Sequence, residues 1–274
     1  MTEWIMDYFS TLDAVSVLVI FLVTGIASAI NSVAGGGTIL TFPMLNAILP
    51  ETPSRMIVAN ATSTVGLWPG AIAAAWAYKG ERVHQPSWAS WLFIPSVLGA
   101  VVGAILVLWL PNTWFSAFVP WLILFSAILF TVHPWITNLA KPKALLSMRN
   151  HPPSIVKACF LQFFVALYGG YFGAGIGILM LAMLSMLKLG DIHRLNAVKN
   201  VLAMIVNGAA ATLFILGSLF GQSKIAWGHA TVMALGAVAG GLFGAHVARR
   251  MPAQVVRKIV AMIGFILAGY YFLK

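Results

Sequence analysis

Long apolar runs fill most of this chain, and the positions where glycine, proline or charge interrupts them divide it into helical segments. At about 20 residues per membrane crossing, six runs read as full spans, near residues 56–76, 88–110, 114–135, 195–216, 225–247 and 255–272. Tryptophans stand near the ends of the first three, where interfacial anchors belong. Two other runs are broken from within. INSVAGGGTILTFP, from Ile30 to Pro43, sets Gly35, Gly36 and Gly37 inside apolar sequence, and YGGYFGAGIGILML, from Tyr168 to Leu181, repeats the arrangement. Glycine loosens the backbone and disfavours helix. Each cluster therefore predicts a helix that stops and restarts, with legs at about 13–31 and Thr38–Leu49 around the first break. In the second half the legs are Ile155–Tyr168 and a short one ending at Leu187, around a break from Gly169 to Gly177. The short second leg of the first hairpin reaches only about 18 Å at ~1.5 Å per residue, against a hydrocarbon core of about 30 Å, which puts the break inside the membrane. Broken backbone at that depth is tolerated only where protein or an aqueous cavity surrounds it.

Pro50, Glu51, Pro53 and Arg55 mark a surface turn, and NLAKPKALLSMRNHPPS, from Asn138 to Ser154, is the one substantial linker. The chain thus divides into a first repeat (1–137), a linker (138–154) and a second repeat (155–274), each with one broken hairpin followed by three spans. Asn60, Ala61 and Val65 recur as Asn196, Ala197 and Val201 at a constant offset of 136 on the helix after each hairpin. Of the sixteen Lys and Arg, twelve flank one side of the spans. Arg55, Lys224 and Lys274 fall on the other side, and Lys199 falls inside a span. The positive-inside rule makes the twelve-residue side cytoplasmic and leaves both termini outside. The first hairpin then dips in from outside and the second from inside. The expected fold is an all-α polytopic membrane protein of two inverted repeats, the architecture that places a site near the midplane between halves.

Composition removes other classes. With 61% hydrophobic and 8% charged residues, no soluble catalytic domain fits. The formal charge of +10 is spread over short loops with no long basic, aromatic-interleaved patch, so nucleic acid is not an expected partner. Cys159 reads as a small apolar residue, and no cleavable signal peptide is expected, because Glu3, Asp7 and Asp13 stand where a basic region would. No metal-ligand spacing and no nucleophile–base constellation appears, so neither a cofactor nor an enzyme activity is expected.

Candidate chemistry concentrates on the breaks and the helices after them. Helices restarting near Thr38 and Ile176 would turn free N–H groups and positive dipole ends toward the protein centre. Two such ends, with Gly35, Gly36, Gly37 and Thr38 on one side and Gly173, Gly175, Ile176 and Gly177 on the other, would suit an anion. Close helix packing through small residues is the competing reading. Asn200, Asn207 and Asn196 share one face of the helix after the second break, with Lys199 beside them, and Asn60, Ser63 and Thr64 occupy the corresponding stretch of the first half. They line a permeation path, or Lys199 snorkels to the interface while the amides bond neighbouring helices. No carboxylate lies deep in a span, which argues against a cation pathway or a carboxylate proton relay and favours an anionic substrate. His133, His193, His229 and His246 sit near span ends and read as interfacial.

SVAGGGTILTFPML at 32–45, GGYFGAGIGILMLAML at 169–184 and DIHRLNAVKN at 191–200 together resemble the sulfite exporter TauE/SafE family of membrane permeases, over about residues 15–272. The resemblance implies export of sulfite or small organosulfonates across a bacterial inner membrane. The chain departs from a repeated triple glycine in its second half, and Lys199 stands where its first-half counterpart is Ser63. The expected partners are a small anionic substrate and the lipid bilayer, with a homodimer left open. An anion channel and a non-transporting membrane scaffold are the rival readings.

Overall fold

The computed structural model describes residues 12–33, 35–77, 87–139, 155–186, 192–221, 225–248 and 253–273, and among these there is no strand. Ten α-helices follow one another there: α1 (Ala14–Val33), α2 (Thr38–Ile48), α3 (Arg55–Ala77), α4 (Phe93–Trp109), α5 (Asn112–Leu139), α6 (Ile155–Tyr171), α7 (Ile176–Met186), α8 (Ile192–Leu219), α9 (Trp227–Ala248) and α10 (Ala253–Leu273). A 3-10 turn, Ser87–Leu92, leads into α4. The chain is an all-α polytopic membrane protein. The loops carrying Lys79, Glu81, Arg82, Lys188, Asp191, Lys224, Arg249 and Arg250, and the linker beyond Leu139, lie outside the described residues, as do the side chains of His133, His193, Arg194 and His246.

Local chemistry sets the helix ends. Asp13 accepts the Ser16 amide at 2.8 Å, which fills a donor of the first turn of α1; hydrogen bonding from the Ser16 side chain first, and from its amide second, holds the Asp13 carboxyl below the usual carboxylate range. Leu49 and Leu110 precede prolines, which forces them into extended backbone with ψ of 148° and 145°, and there α2 and α4 stop. Five stretches among the described residues are long and apolar enough to cross a membrane: Ala14–Ser32, Trp88–Trp109, Asn112–Val132, Leu195–Leu219 and Gln254–Leu273. The first is a surprise. The sequence marks α1 only as the leg of a broken hairpin, yet its 20 residues reach about 30 Å. By contrast α3 is 23 residues long but carries Asn60, Thr62, Ser63 and Thr64, three of them fully buried, because neighbouring helices rather than lipid surround it.

The second break is narrower than its glycines predict. Gly169 and Gly170 remain helical in α6, and Gly177 lies in the first turn of α7, so only 172–175 leave the helix. Gly170 is there for space: a Cβ on it would collide with the backbone of Ala100. The charged turn before α8 is likewise shorter than expected, since the helix starts at Ile192 and not near Leu195.

Helix pairing follows an exchange rule. α1 lies along α9 while α6 lies along α4, α3 adjoins α9 while α8 adjoins α4, α3 meets α8, and α5 meets α10. Swapping each helix for its counterpart in the other half reproduces this set. Two glycine pairs at four-residue spacing bring helix backbones into contact. On α4, a Cβ at Gly99 or Gly103 would meet the carbonyl of Phe163 or Leu167 on α6; on α9, one at Gly236 or Gly240 would meet the carbonyl of Phe21 or Gly25 on α1. Without driving force from water, small residues that let backbones touch are what hold such helices together. The buried apolar residues form two clusters that cut across the sequence halves. The smaller joins Leu92 and Ala100 to α6, most of α7 and the first half of α8; the larger gathers α1, α2, α3, α5, α9 and α10 with the far ends of α4 and α8, Phe172 and Ala174 of the second break and Ile178 of α7.

At one end of the larger cluster Phe42 stands edge-on to Phe115 and Phe172, with ring centroids 6.5 and 5.3 Å away, and 6.2 Å from Tyr271. Phe115 also meets Tyr171 at 5.6 Å, and Asn46 donates to the Tyr271 hydroxyl at 2.8 Å. These rings bring α2, α5, α6 and α10 to one point.

The α4–α6 seam yields a first prediction. The Gly103→Ala variant should unfold more readily in detergent by about 1–3 kcal/mol, since the added methyl meets backbone that cannot yield. Gly269→Ala, with open space around it, should be neutral or stabilising by up to ~1 kcal/mol.

Candidate functional site

The two breaks are built alike. Just past α1 stands Gly35, whose φ of +68° is the left-handed conformation glycine adopts readily, and just past α6 stands Gly173, with φ of +80°. In each, the glycine N–H turns back to the carbonyl five residues earlier, Gly35 to Ile30 at 3.3 Å and Gly173 to Tyr168 at 3.2 Å. The Asn31 side chain adds a bond from the Gly36 amide at 3.0 Å. α2 then restarts at Thr38 and α7 at Ile176.

The breaks meet. Gly35 lies backbone to backbone against Gly177, so closely that a Cβ on Gly177 would stand 2.6 Å from the Gly35 Cα. Gly173 faces the Thr38 hydroxyl, with a Cβ placed 3.7 Å from it. Phe130 of α5 covers the junction: its ring lies on Gly36 and within 3.8 Å of the Cβ position of Gly175. Gly35, Gly36, Gly37, Gly173, Gly175 and Gly177 are all buried, while Thr38 is half-buried.

Polar side chains from α3 and α8 reach across to the opposite half. Lys199 is fully buried, and its Nζ donates to the carbonyl of Ser32 in the last turn of α1 at 3.1 Å, with its stem alongside Gly177. Asn60, also fully buried, donates through Nδ2 to the carbonyl of Tyr171, the last residue of α6, at 3.1 Å. Both take carbonyls that a helix leaves unpaired at its negative end, where a cation is favoured. Of the two alternatives for Lys199, snorkelling to the interface does not describe this arrangement: the amine is fully buried on a carbonyl inside the bundle.

The remaining candidates divide. Ser63 bonds the Thr41 hydroxyl at 2.6 Å and so ties α3 to α2 of its own half. Thr64, half-buried, donates to the Asn60 carbonyl one turn back at 2.9 Å. Asn200 is buried with its Nδ2 unpartnered, as is the Oδ1 of Asn60. Asn207 is half-buried two turns further along α8 and away from the crossing. Ile176 contributes backbone only, for its side chain fills the space over Gly169. Its N–H bonds Gly173 at 3.3 Å, so the amides of Gly35, Gly36, Gly173 and Ile176, expected to be bare, are engaged in this closed arrangement.

Sequence reasoning missed a hydroxyl pair beside the second break. Tyr168 donates to the Ala174 carbonyl at 2.6 Å, and Ser126 of α5 bonds that carbonyl at 3.0 Å and the Tyr168 hydroxyl at 2.8 Å. A serine within an otherwise apolar span was the available signal. For Phe130 there was none.

The family model described as "Sulfite exporter TauE/SafE" matches residues 20–271, both breaks and all three spans of each half included. The chain belongs to the sulfite exporter TauE/SafE family. Among curated relatives, a probable membrane transporter protein of Haemophilus influenzae is 25% identical over 252 residues, 92% of each chain. The probable membrane transporter protein YfcA of Escherichia coli is 24% identical over 267 residues, 96% of this chain and 93% of that one. A probable membrane transporter protein of a Sinorhizobium species is 26% identical over 255 residues, 91% of this chain and 89% of its own. No solved structure matches the chain. Family and relatives together make this TauE/SafE protein a member of a transporter family and not of an enzyme family.

The crossing of the breaks is open to a direct test. Gly221→Ala, at φ +75° with nothing within 4 Å, should cost about 1–2 kcal/mol, the conformational strain alone. Gly35→Ala carries the same strain and also drives a methyl into Gly177, so its loss in detergent unfolding should reach about 3 kcal/mol or more.

Proposed function

We propose that the chain is a secondary transporter that exports a small sulfur oxyanion, such as sulfite or an organosulfonate, with its site at the crossing of the two broken segments. One observation carries this reading: Lys199, a fully buried amine, sits beside the contact between Gly35 and Gly177 with a backbone carbonyl as its partner. A buried cation held only by dipoles is poorly compensated, and an anion arriving at the junction would complete its charge balance. The restarting ends of α2 and α7 add positive dipole there. The name of the family whose model matches is consistent with such a substrate.

Alternating access requires the crossing, buried here, to open to each side in turn. The exchange of helix partners supports two repeats of opposite orientation in the membrane, with both termini outside an inner membrane and twelve of the sixteen basic residues inside. Moving one sequence half as a block would shear the glycine seams between α1 and α9 and between α4 and α6. Rocking the smaller cluster, α6, α7 and the adjoining parts of α4 and α8, against the larger one leaves both seams intact. That motion would stretch the Lys199–Ser32 and Asn60–Tyr171 bonds, which an incoming oxyanion could replace. The membrane potential, negative inside, would drive an anion outward.

In proteoliposomes, wild-type protein should release entrapped sulfite with saturable, counterflow-competent kinetics, and Lys199→Met should lower the rate at least about ten-fold while folding normally, since a buried ion exchanged for an apolar residue is often neutral in stability. An unchanged rate in the variant refutes the role of Lys199. Flux that neither saturates nor shows counterflow identifies a channel, and no flux at all leaves the scaffold reading.

A further inference from the structure

Two hydroxyls grip the second break from one side. Tyr168 of α6 donates to the Ala174 carbonyl at 2.6 Å. Ser126 of α5 has a single hydrogen and three acceptors in reach: the same carbonyl at 3.0 Å, the Tyr168 hydroxyl at 2.8 Å and the Leu122 carbonyl one turn back at 2.8 Å. The Tyr168 ring is itself held edge-on to Phe125 of α5, with centroids 5.5 Å apart. The Ala174 carbonyl is therefore anchored to the flank of the break that α5 and α6 form.

A trans peptide is planar, so its N–H points opposite to its C=O. With the Ala174 carbonyl drawn toward α5 and α6, the Gly175 amide turns away from both. α7 packs chiefly against α5, α6 and α8. The side left for that amide is the one that holds α8 and the first break. There the Lys199 stem lies 3.3 Å from the Cβ position of Gly177, and Gly35 presses on Gly177. Among the described residues no acceptor takes the amides of Ala174, Gly175 or Gly177, and all three residues are buried. Buried amides without an acceptor carry a cost that the oxygens of an anion would remove.

The first break is treated in the opposite sense. Its side chain is an acceptor: Asn31 takes the Gly36 amide at 3.0 Å, and the Gly36 carbonyl goes to the Ile39 amide at 3.2 Å. Asn31 thus uses up a donor, whereas Ser126 and Tyr168 use up a carbonyl, the group that would repel an anion, and leave amide hydrogens over.

We propose that Ser126 and Tyr168 are positioning residues for the anion: by holding the Ala174 carbonyl they turn the Gly175 amide toward the crossing, so that the second break supplies backbone donors beside Lys199. The proposal rests on the transporter reading above and adds to it two side chains that act through the backbone without touching the substrate. Either hydroxyl alone still holds the carbonyl, though less firmly, and loss of both frees the peptide to rotate.

The test uses the full-length protein in proteoliposomes loaded with sulfite, with the apparent KM for efflux, the maximal rate and the melting temperature without anion read side by side. Tyr168→Phe keeps the ring on Phe125 and Ser126→Ala keeps the Tyr168 bond, so each should raise KM about two- to three-fold. The double variant should raise it about ten-fold or more, beyond the product of the two, while the maximal rate changes less than about two-fold. Ser126→Thr in the Tyr168→Phe background keeps a hydroxyl and should return KM to that of Tyr168→Phe alone. Ser96→Ala controls for lost hydrogen bonding as such: Ser96 of α4 accepts from the buried Gln162 of α6 at 2.8 Å, more than two turns before the break, and its loss should lower the melting temperature and leave KM as in wild type. A double variant that loses melting temperature like Ser96→Ala but keeps the wild-type KM overturns the proposal and leaves the transporter reading standing. If the double variant does not fold, a wild-type KM in both single variants overturns it equally. If wild-type protein releases no sulfite, the transporter reading falls and this proposal with it.

Discussion

Two stretches of backbone can touch at the centre of this protein because neither residue at the contact has a side chain. Gly35 and Gly177 approach so closely that a methyl on either would strike the other. Everything around them follows from that contact. Each break must close its first helix quickly, which the left-handed Gly35 and Gly173 do by returning their N–H groups to the turn before. Each leaves terminal carbonyls that need donors, and these come from the other half, Lys199 for α1 and Asn60 for α6. The crossing is thus a reciprocal clasp between the two halves of the chain.

The same principle, glycine where backbones meet, acts at a larger scale in the seams of α1 with α9 and α4 with α6. These seams weave the halves together, so the buried clusters do not coincide with the sequence halves. In lipid, where apolar surface alone does not choose a partner, the choice falls to shape.

The helices and their breaks were largely legible in the sequence, because glycine clusters, prolines and run lengths act locally. Thr38 and Ile176 were recognisable as helix starts, and the polar stripe on α8 was visible as an exception to an apolar rule. What the sequence withheld was non-local. Gly169 and Gly170 look like break residues but serve packing against Ala100, and the four seam glycines resemble any others in apolar helices. Lys199 had two plausible destinations, and only the position of the Ser32 carbonyl decided between them.

The rings around Phe42 close one end of the larger cluster with dispersion alone. Moving Phe42 away would separate it from three aromatic neighbours together, a cost indifferent to dissolved ions. Raising the salt therefore leaves this end of the protein as firm as before, whereas the surface pair of Arg55 with Glu51 loses its attraction, so the two hold under unlike conditions.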